Sequence, residues 1–202
     1  MYYTHFYKKS KYDIIFLGDD KMKFTISSSS NDLIDEKYKI SAGHLLDYLV
    51  TIPNAELNWG SCSISIMGLC YDTFLKAGKP IHGYTSSKYA DDINNLPNAD
   101  HKLFDTTYDL KKNILYDADV IICLAGGTGT ISEFFAHLEE IRSNDADRLL
   151  IIYDEDHHFD STLAVIKDMI DRKFNNESIY NFFKVAHNVE EFKNILKENG
   201  NI

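Results

Sequence analysis

The residue types able to do chemistry together are concentrated between positions 126 and 133. Gly126-Gly127-Thr128-Gly129-Thr130 follows a short apolar run, Val120 to Leu124, and Glu133 stands three positions further on. A buried strand, a glycine turn and a helix start make an anion site. Unpaired backbone N–H groups and the positive end of the helix dipole point at the same place. Glycines let a phosphate approach the backbone with no Cβ in the way. Thr128 and Thr130 add hydroxyl donors. The ligand this pattern suits is a phosphorylated small molecule. The competing reading is structural: Gly126, Gly127 and Gly129 merely permit a tight strand–helix turn.

Glu133 also has two readings. A carboxylate near an anomeric carbon stabilises the oxocarbenium-like state of glycoside cleavage. Alternatively, Thr130-Ile131-Ser132-Glu133 is a capping box in which Glu133 bonds only the Thr130 N–H. Other candidates are weaker alone. Lys111 is a binding cation or a solvated helix residue. Gly60-Ser61 closes an earlier strand. Ser29, in the cluster Ser27-Ser28-Ser29-Ser30, is a ligand contact or an ordinary turn residue. Met67 packs in the core or borders the ligand, and Trp59 lines a base pocket or covers the sheet edge. His157-His158, with Asp154, Glu155, Asp156 and Asp160, reads as a solvated acidic loop rather than a metal site, because the ligands lack a fixed helical spacing.

The elements that must position these residues alternate. Strands are expected at 23–26, 55–59, 103–104, 119–124, 148–153 and 182–186, with a weak one around Ile81 and Tyr84. Helices are expected over 33–51, 63–76, 106–116, 128–142, 161–173 and 189–197, with a short one at 90–95. Alternation predicts a Rossmann-like α/β domain: one parallel sheet with helices on both faces. Both glycine turns then fall at C-terminal strand ends, where such sheets bind ligands. Residues 1–20 read as an N-terminal extension, and 21–202 as a single domain.

Composition limits the partners. The chain has 202 residues, a formal net charge of -10 and 44% hydrophobic residues. Such acidity argues against nucleic-acid and membrane-surface binding, which need basic patches. No apolar run reaches the ~18 residues of a membrane span. Cys62, Cys70 and Cys123 form no metal pattern and read as reduced thiols of a cytoplasmic protein.

The stretch 126–133 is similar to the PGGxGTxxE signature of the LOG (Lonely Guy) family, also described as lysine decarboxylase-like. Gly60-Ser61-Cys62-Ser63-Ile64-Ser65-Ile66-Met67-Gly68 resembles in part its GGGxxGLMG segment. The resemblance implies a homodimer that hydrolyses the N-glycosidic bond of nucleoside 5′-monophosphates, AMP or cytokinin nucleotides, without a metal or redox cofactor. It implies a phosphate at Gly126–Thr130 with help from Gly60, Ser61, Ser29 and Met67, and catalysis by Glu133 and Lys111. There are departures. Ala125 replaces proline, Ser61, Cys62 and Ser65 replace glycines, and Leu110 falls where the family has its catalytic arginine. Leu110 motivates a second reading, a nucleotide-binding sensor or scaffold without turnover. A third, carried by Asp117, Asp119 and Gly129-Thr130-x-x-Glu133, is a nucleoside deoxyribosyltransferase-like enzyme.

Overall fold

In the computed structural model, residues 21–144 and 148–202 are described. The expected extension over 1–20 lies outside them. The elements are β1 (Met22–Ser27), α1 (Glu36–Leu49), β2 (Ala55–Trp59), α2 (Ser65–Lys76), β3 (Ile81–Ser86), β4 (Asp100–Phe104), α3 (Thr107–Tyr116), β5 (Val120–Cys123), α4 (Thr128–Asn144), β6 (Leu149–Tyr153), α5 (Asp160–Asp171), β7 (Lys184–Ala186) and α6 (Val189–Glu198). The strands form one sheet in the order β4-β3-β2-β1-β5-β6-β7. Every pairing in it is parallel.

Two apolar clusters sandwich the sheet, and strand periodicity divides residues between them. Along β5, Val120 and Ile122 join Leu45, Leu46, Phe74 and Phe192 on one side. Ile121 and Cys123 join Phe134, Leu138 and Ile166 on the other. Thus α1, α2 and α6 cover one face, while α3, α4 and α5 cover the other. Strands buried on both faces need unbroken apolar runs, which is why β5 and β6 are plain in the sequence.

β3 and β4 are longer than their sequence signals. β4, Asp-His-Lys-Leu-Phe, is a mostly exposed edge strand. Five residue pairs with β3 hold it, from His82↔Asp100 to Ser86↔Phe104. The short helix expected at 90–95 is two 3₁₀ turns, Ser87–Tyr89 and Asp92–Asn95.

Helix ends follow local chemistry. Thr106 caps α3 by accepting from the Asp109 N–H, and Asn188 caps α6 by accepting from the Glu191 N–H. In α2, Gly68 lets the helix approach its own entry loop. A Cβ at Gly68 would lie 2.3 Å from the Ser63 carbonyl oxygen, which is backbone and yields little. Helix propensity favours alanine over glycine by about 1 kcal/mol, but the clash opposes it. Gly68→Ala is expected to lower stability, by about 1–3 kcal/mol, in denaturant titration; an increase would show that the loop gives way freely.

Candidate functional site

Strand order reverses between β1 and β5. Their connections leave in opposite directions and open a crevice beyond their C-terminal ends, the usual ligand position in such sheets. The last β1–β5 pair is Ser27↔Cys123. Beyond it the two loops stay joined: Leu124 N–H donates to the Ser27 carbonyl at 2.9 Å, and Ser29 N–H to the Ala125 carbonyl at 3.0 Å.

The turn from β5 into α4 presents free donors. The Ile131 N–H bonds the Gly127 carbonyl at 3.1 Å. Ahead of it, the amides of Gly127, Thr128, Gly129 and Thr130 have no protein acceptor among the described residues. Gly126 differs: its N–H lies 3.2 Å from His158 Nε2, which is also 2.8 Å from the Gly126 carbonyl. The ring nitrogen accepts from the amide in one tautomer and donates to the carbonyl in the other.

The glycines divide between the two readings. A Cβ on Gly126 would meet Thr130 Oγ1 at 2.1 Å and the Ser28 backbone at 3.1 Å, so Gly126 serves the turn. A Cβ on Gly127 or Gly129 would meet nothing within 4 Å. Neither has a positive φ. No internal contact and no left-handed backbone requires glycine there, and the space beside these amides is open.

Glu133 is not a capping residue, since the Thr130 N–H goes without it. Its carboxylate lies near the Ser27 side chain and close enough to Cys123 to help raise that thiol's pKa. It therefore sits over the end of the β1–β5 pair. Burial pushes the Glu133 carboxyl above the ordinary value, with Ser27 and the Lys111 charge working the other way. Lys111, from α3, donates to Ser132 Oγ at 2.6 Å. Lysine and glutamate are thus brought together across the α3–α4 contact. Thr128 is exposed, and Thr130 is buried against Gly126. Leu110 is half-buried and offers no polar group.

One group here escaped the sequence reading. His137, one turn beyond Glu133 on α4, is 1% exposed, and neither ring nitrogen has a hydrogen-bond partner. Burial and the Lys111 charge push it down to about 4, with the Lys111 backbone working weakly the other way, short of a hydrogen bond. The spacing from Glu133 was the available signal.

The β2 side is tightly occupied. Ser61 and Ser65 have φ of 51° and 57°, the left-handed region, at positions where the LOG pattern has glycine. Serine there carries a cost of about 1–2 kcal/mol each. Their hydroxyls are engaged, Ser61 with His101 Nδ1 at 3.0 Å and Ser65 donating to the Asn31 carbonyl at 2.8 Å. Gly60 faces the Met67 methyl, 2.5 Å from where its Cβ would lie. The Met67 N–H donates to the Ser29 carbonyl, and the Ser29 hydroxyl accepts from the Asn31 N–H at 3.1 Å. Trp59 neither lines a pocket nor covers an edge: it is fully buried, stacked on Tyr71 at 5.5 Å. Asp117 precedes β5 at its other end, held by Lys23, Tyr84 and Lys102. Burial alone would raise its carboxyl, but these partners bring it down to about 2.

The family described as "Possible lysine decarboxylase" matches residues 67–196, more than half of the chain. The chain belongs to this LOG/lysine decarboxylase-like family. The match spans Met67, Lys111 and the turn leading to Glu133. No curated protein compared with the chain matches it. Among solved structures, it is similar to the molybdenum cofactor binding protein of Rippkaea orientalis, at 16% identity and TM-score 0.61, covering 89% of this chain and 98% of that one. The molybdenum cofactor carrier protein of Chlamydomonas reinhardtii gives 14% and 0.60 over the same shares. A structural-genomics target gives 18% and 0.65, over 88% and 99%. These likenesses show the shared fold. No helix among the described residues is long and apolar enough to cross a membrane.

The raised Glu133 carboxyl sets a pH dependence. Its stabilising contribution is full below the ordinary carboxyl value, ~4.3, and is lost as pH rises through the raised value. Glu133→Gln is expected to raise Tm at neutral pH, with the gain shrinking toward zero in acid. Thermal melts across pH check this; an unchanged Tm at neutral pH would contradict a desolvated charge.

Proposed function

We propose that this protein is a phosphoribohydrolase, acting as a homodimer, that cleaves the N-glycosidic bond of a nucleoside 5′-monophosphate of the AMP or cytokinin-nucleotide type. The observation that carries the reading is the separation of two opposite functions on one helix. Free amides at Gly127–Thr130 suit a phosphate dianion. Glu133, one turn on and about 5–6 Å along the axis, suits positive charge. A ribose spans that gap between its 5′-phosphate and its anomeric carbon.

In this mechanism the amides and the α4 dipole hold the phosphate. As the bond from the anomeric carbon to the base nitrogen breaks, the sugar acquires positive charge. The ionised Glu133 carboxylate, near Ser27, stabilises it in a site partly screened from water. Water adds its oxygen to the anomeric carbon, and the base leaves with a proton. Lys111 supplies positive charge where the family has an arginine beside it, as a point charge rather than a planar fork.

Leu110 supports a second reading: a carrier or sensor that binds a phosphorylated ligand without cleaving it. The Rippkaea and Chlamydomonas proteins, named for binding and carrying molybdenum cofactor, have the same fold. The deoxyribosyltransferase reading loses support, because Asp117 is committed to its lysine and tyrosine partners.

Incubation with AMP, followed by chromatography for adenine and ribose 5-phosphate, tests the proposal. Turnover is expected, with Glu133→Gln about 10²–10³-fold slower. Binding without product would select the second reading. Gly127→Asp is expected to abolish AMP binding in calorimetry while leaving Tm nearly unchanged, since no protein atom lies within 4 Å of the new Cβ. Binding that survives this substitution would remove the amide cradle from both readings.

A further inference from the structure

Away from Glu133, the loops after β6 and β7 bring three metal-ligating side chains together. Asp154, His157 and His187 each offer a ligand atom within 4.8 Å of the others. Asp154 is 2% exposed, and both its carboxylate oxygens lie 3.2 Å from the Phe159 N–H. Its charge has no lysine or arginine partner among the described residues. Nor do the neighbouring Glu155 and Asp160, whose ion-pair partners are His44 and His157. One Asp156 carboxylate oxygen is buried without any hydrogen-bond partner. A buried carboxylate among unneutralised neighbours is costly unless a cation joins it.

The two imidazoles are arranged to serve that cation. His187 Nδ1 lies 2.9 Å from the Asp154 carbonyl oxygen, and a carbonyl only accepts. This fixes the proton on Nδ1 and leaves the Nε2 lone pair available. His157 Nδ1 lies 3.4 Å from the Asp160 carboxylate, which orients its ring the same way. Metal-bound histidines commonly have their second nitrogen held by a carbonyl or carboxylate. The rings face one another, with centroids 5.3 Å apart and planes 30° from parallel.

We propose that Asp154, His157 and His187 bind one divalent transition-metal ion, Zn²⁺ in the first instance. Two nitrogen ligands and one carboxylate oxygen suit Zn²⁺ rather than Mg²⁺ or Ca²⁺, which prefer oxygen. A tetrahedral site with bonds of about 2.1 Å places its ligands about 3.4 Å apart. The exposed rings of His157 and His187 can make that approach, and water fills the fourth position. The ion is a clamp joining the β6 loop to the β7 loop. It uses none of the α3–α4 groups around Glu133, so the proposal does not rest on the proposed hydrolysis.

Chelator-treated full-length protein titrated with Zn²⁺ in a calorimeter tests the site, with Co²⁺ absorption reporting the geometry. One equivalent is expected to bind and raise Tm. His157→Ala and His187→Ala, both at exposed positions, are each expected to weaken binding at least ten-fold. His44→Ala, a surface histidine outside the set, is expected to leave it unchanged. Absence of one-equivalent uptake by the wild-type protein overturns the proposal, as does uptake that persists in the His157→Ala/His187→Ala double variant. Circular dichroism establishes that each variant is folded.

Discussion

The amides of Gly127, Thr128, Gly129 and Thr130 have no acceptor inside the protein, and much of the surrounding architecture keeps them so. Four donors at a helix start carry a partial positive charge that the protein does not neutralise. The loops after β1 and β5 are bonded to each other rather than to these amides. Gly126 absorbs the crowding from Thr130 and Ser28, which frees Gly127 and Gly129 from any packing duty. One turn away, Glu133 lies near Ser27 at the sheet end instead of turning back onto these amides. Opposite charge preferences are thereby kept separate on one helix.

That separation carries a thermodynamic cost. Glu133 is desolvated, and Lys111 offsets only part of the penalty. His137 is buried uncharged without a hydrogen bond for either nitrogen. Ser61 and Ser65 hold left-handed backbone that glycine would adopt more easily. These departures from good folding practice all lie on the two loop-and-helix units that flank the crevice. The apolar clusters on the two faces of the sheet contain no comparable defect among their members.

The loop after β6 links the crevice to the rest of the sheet's C-terminal edge. Its His158 reaches the Gly126 backbone, while Asp154 and His157 turn toward His187. Tyr38 packs edge-on against His158, with centroids 5.3 Å apart. The glycine turn is therefore buttressed by neighbouring loops and by α1 as well as by its own strand and helix.

Much of the fold was legible in local pattern. Apolar runs marked β5 and β6 because both their faces are buried, and the glycine turn marked the start of α4. The edge strand β4 was faint because its polar residues face water and its backbone is held by β3, a partner distant in pattern. The sequence alone determined which residues could bind an anion and that Glu133 followed at one helical turn. It left open whether Glu133 caps its own helix, and whether the glycines serve the turn or a ligand. Only the tertiary structure decided that Glu133 does not cap Thr130 and that Gly126 serves the turn, because both depend on what lies across space: Ser27 near the carboxylate, and Thr130 and Ser28 against Gly126. The pairing of His187 with Asp154 and His157 had no sequence signal either, since parallel neighbours β6 and β7 bring together loops separated by a whole helix.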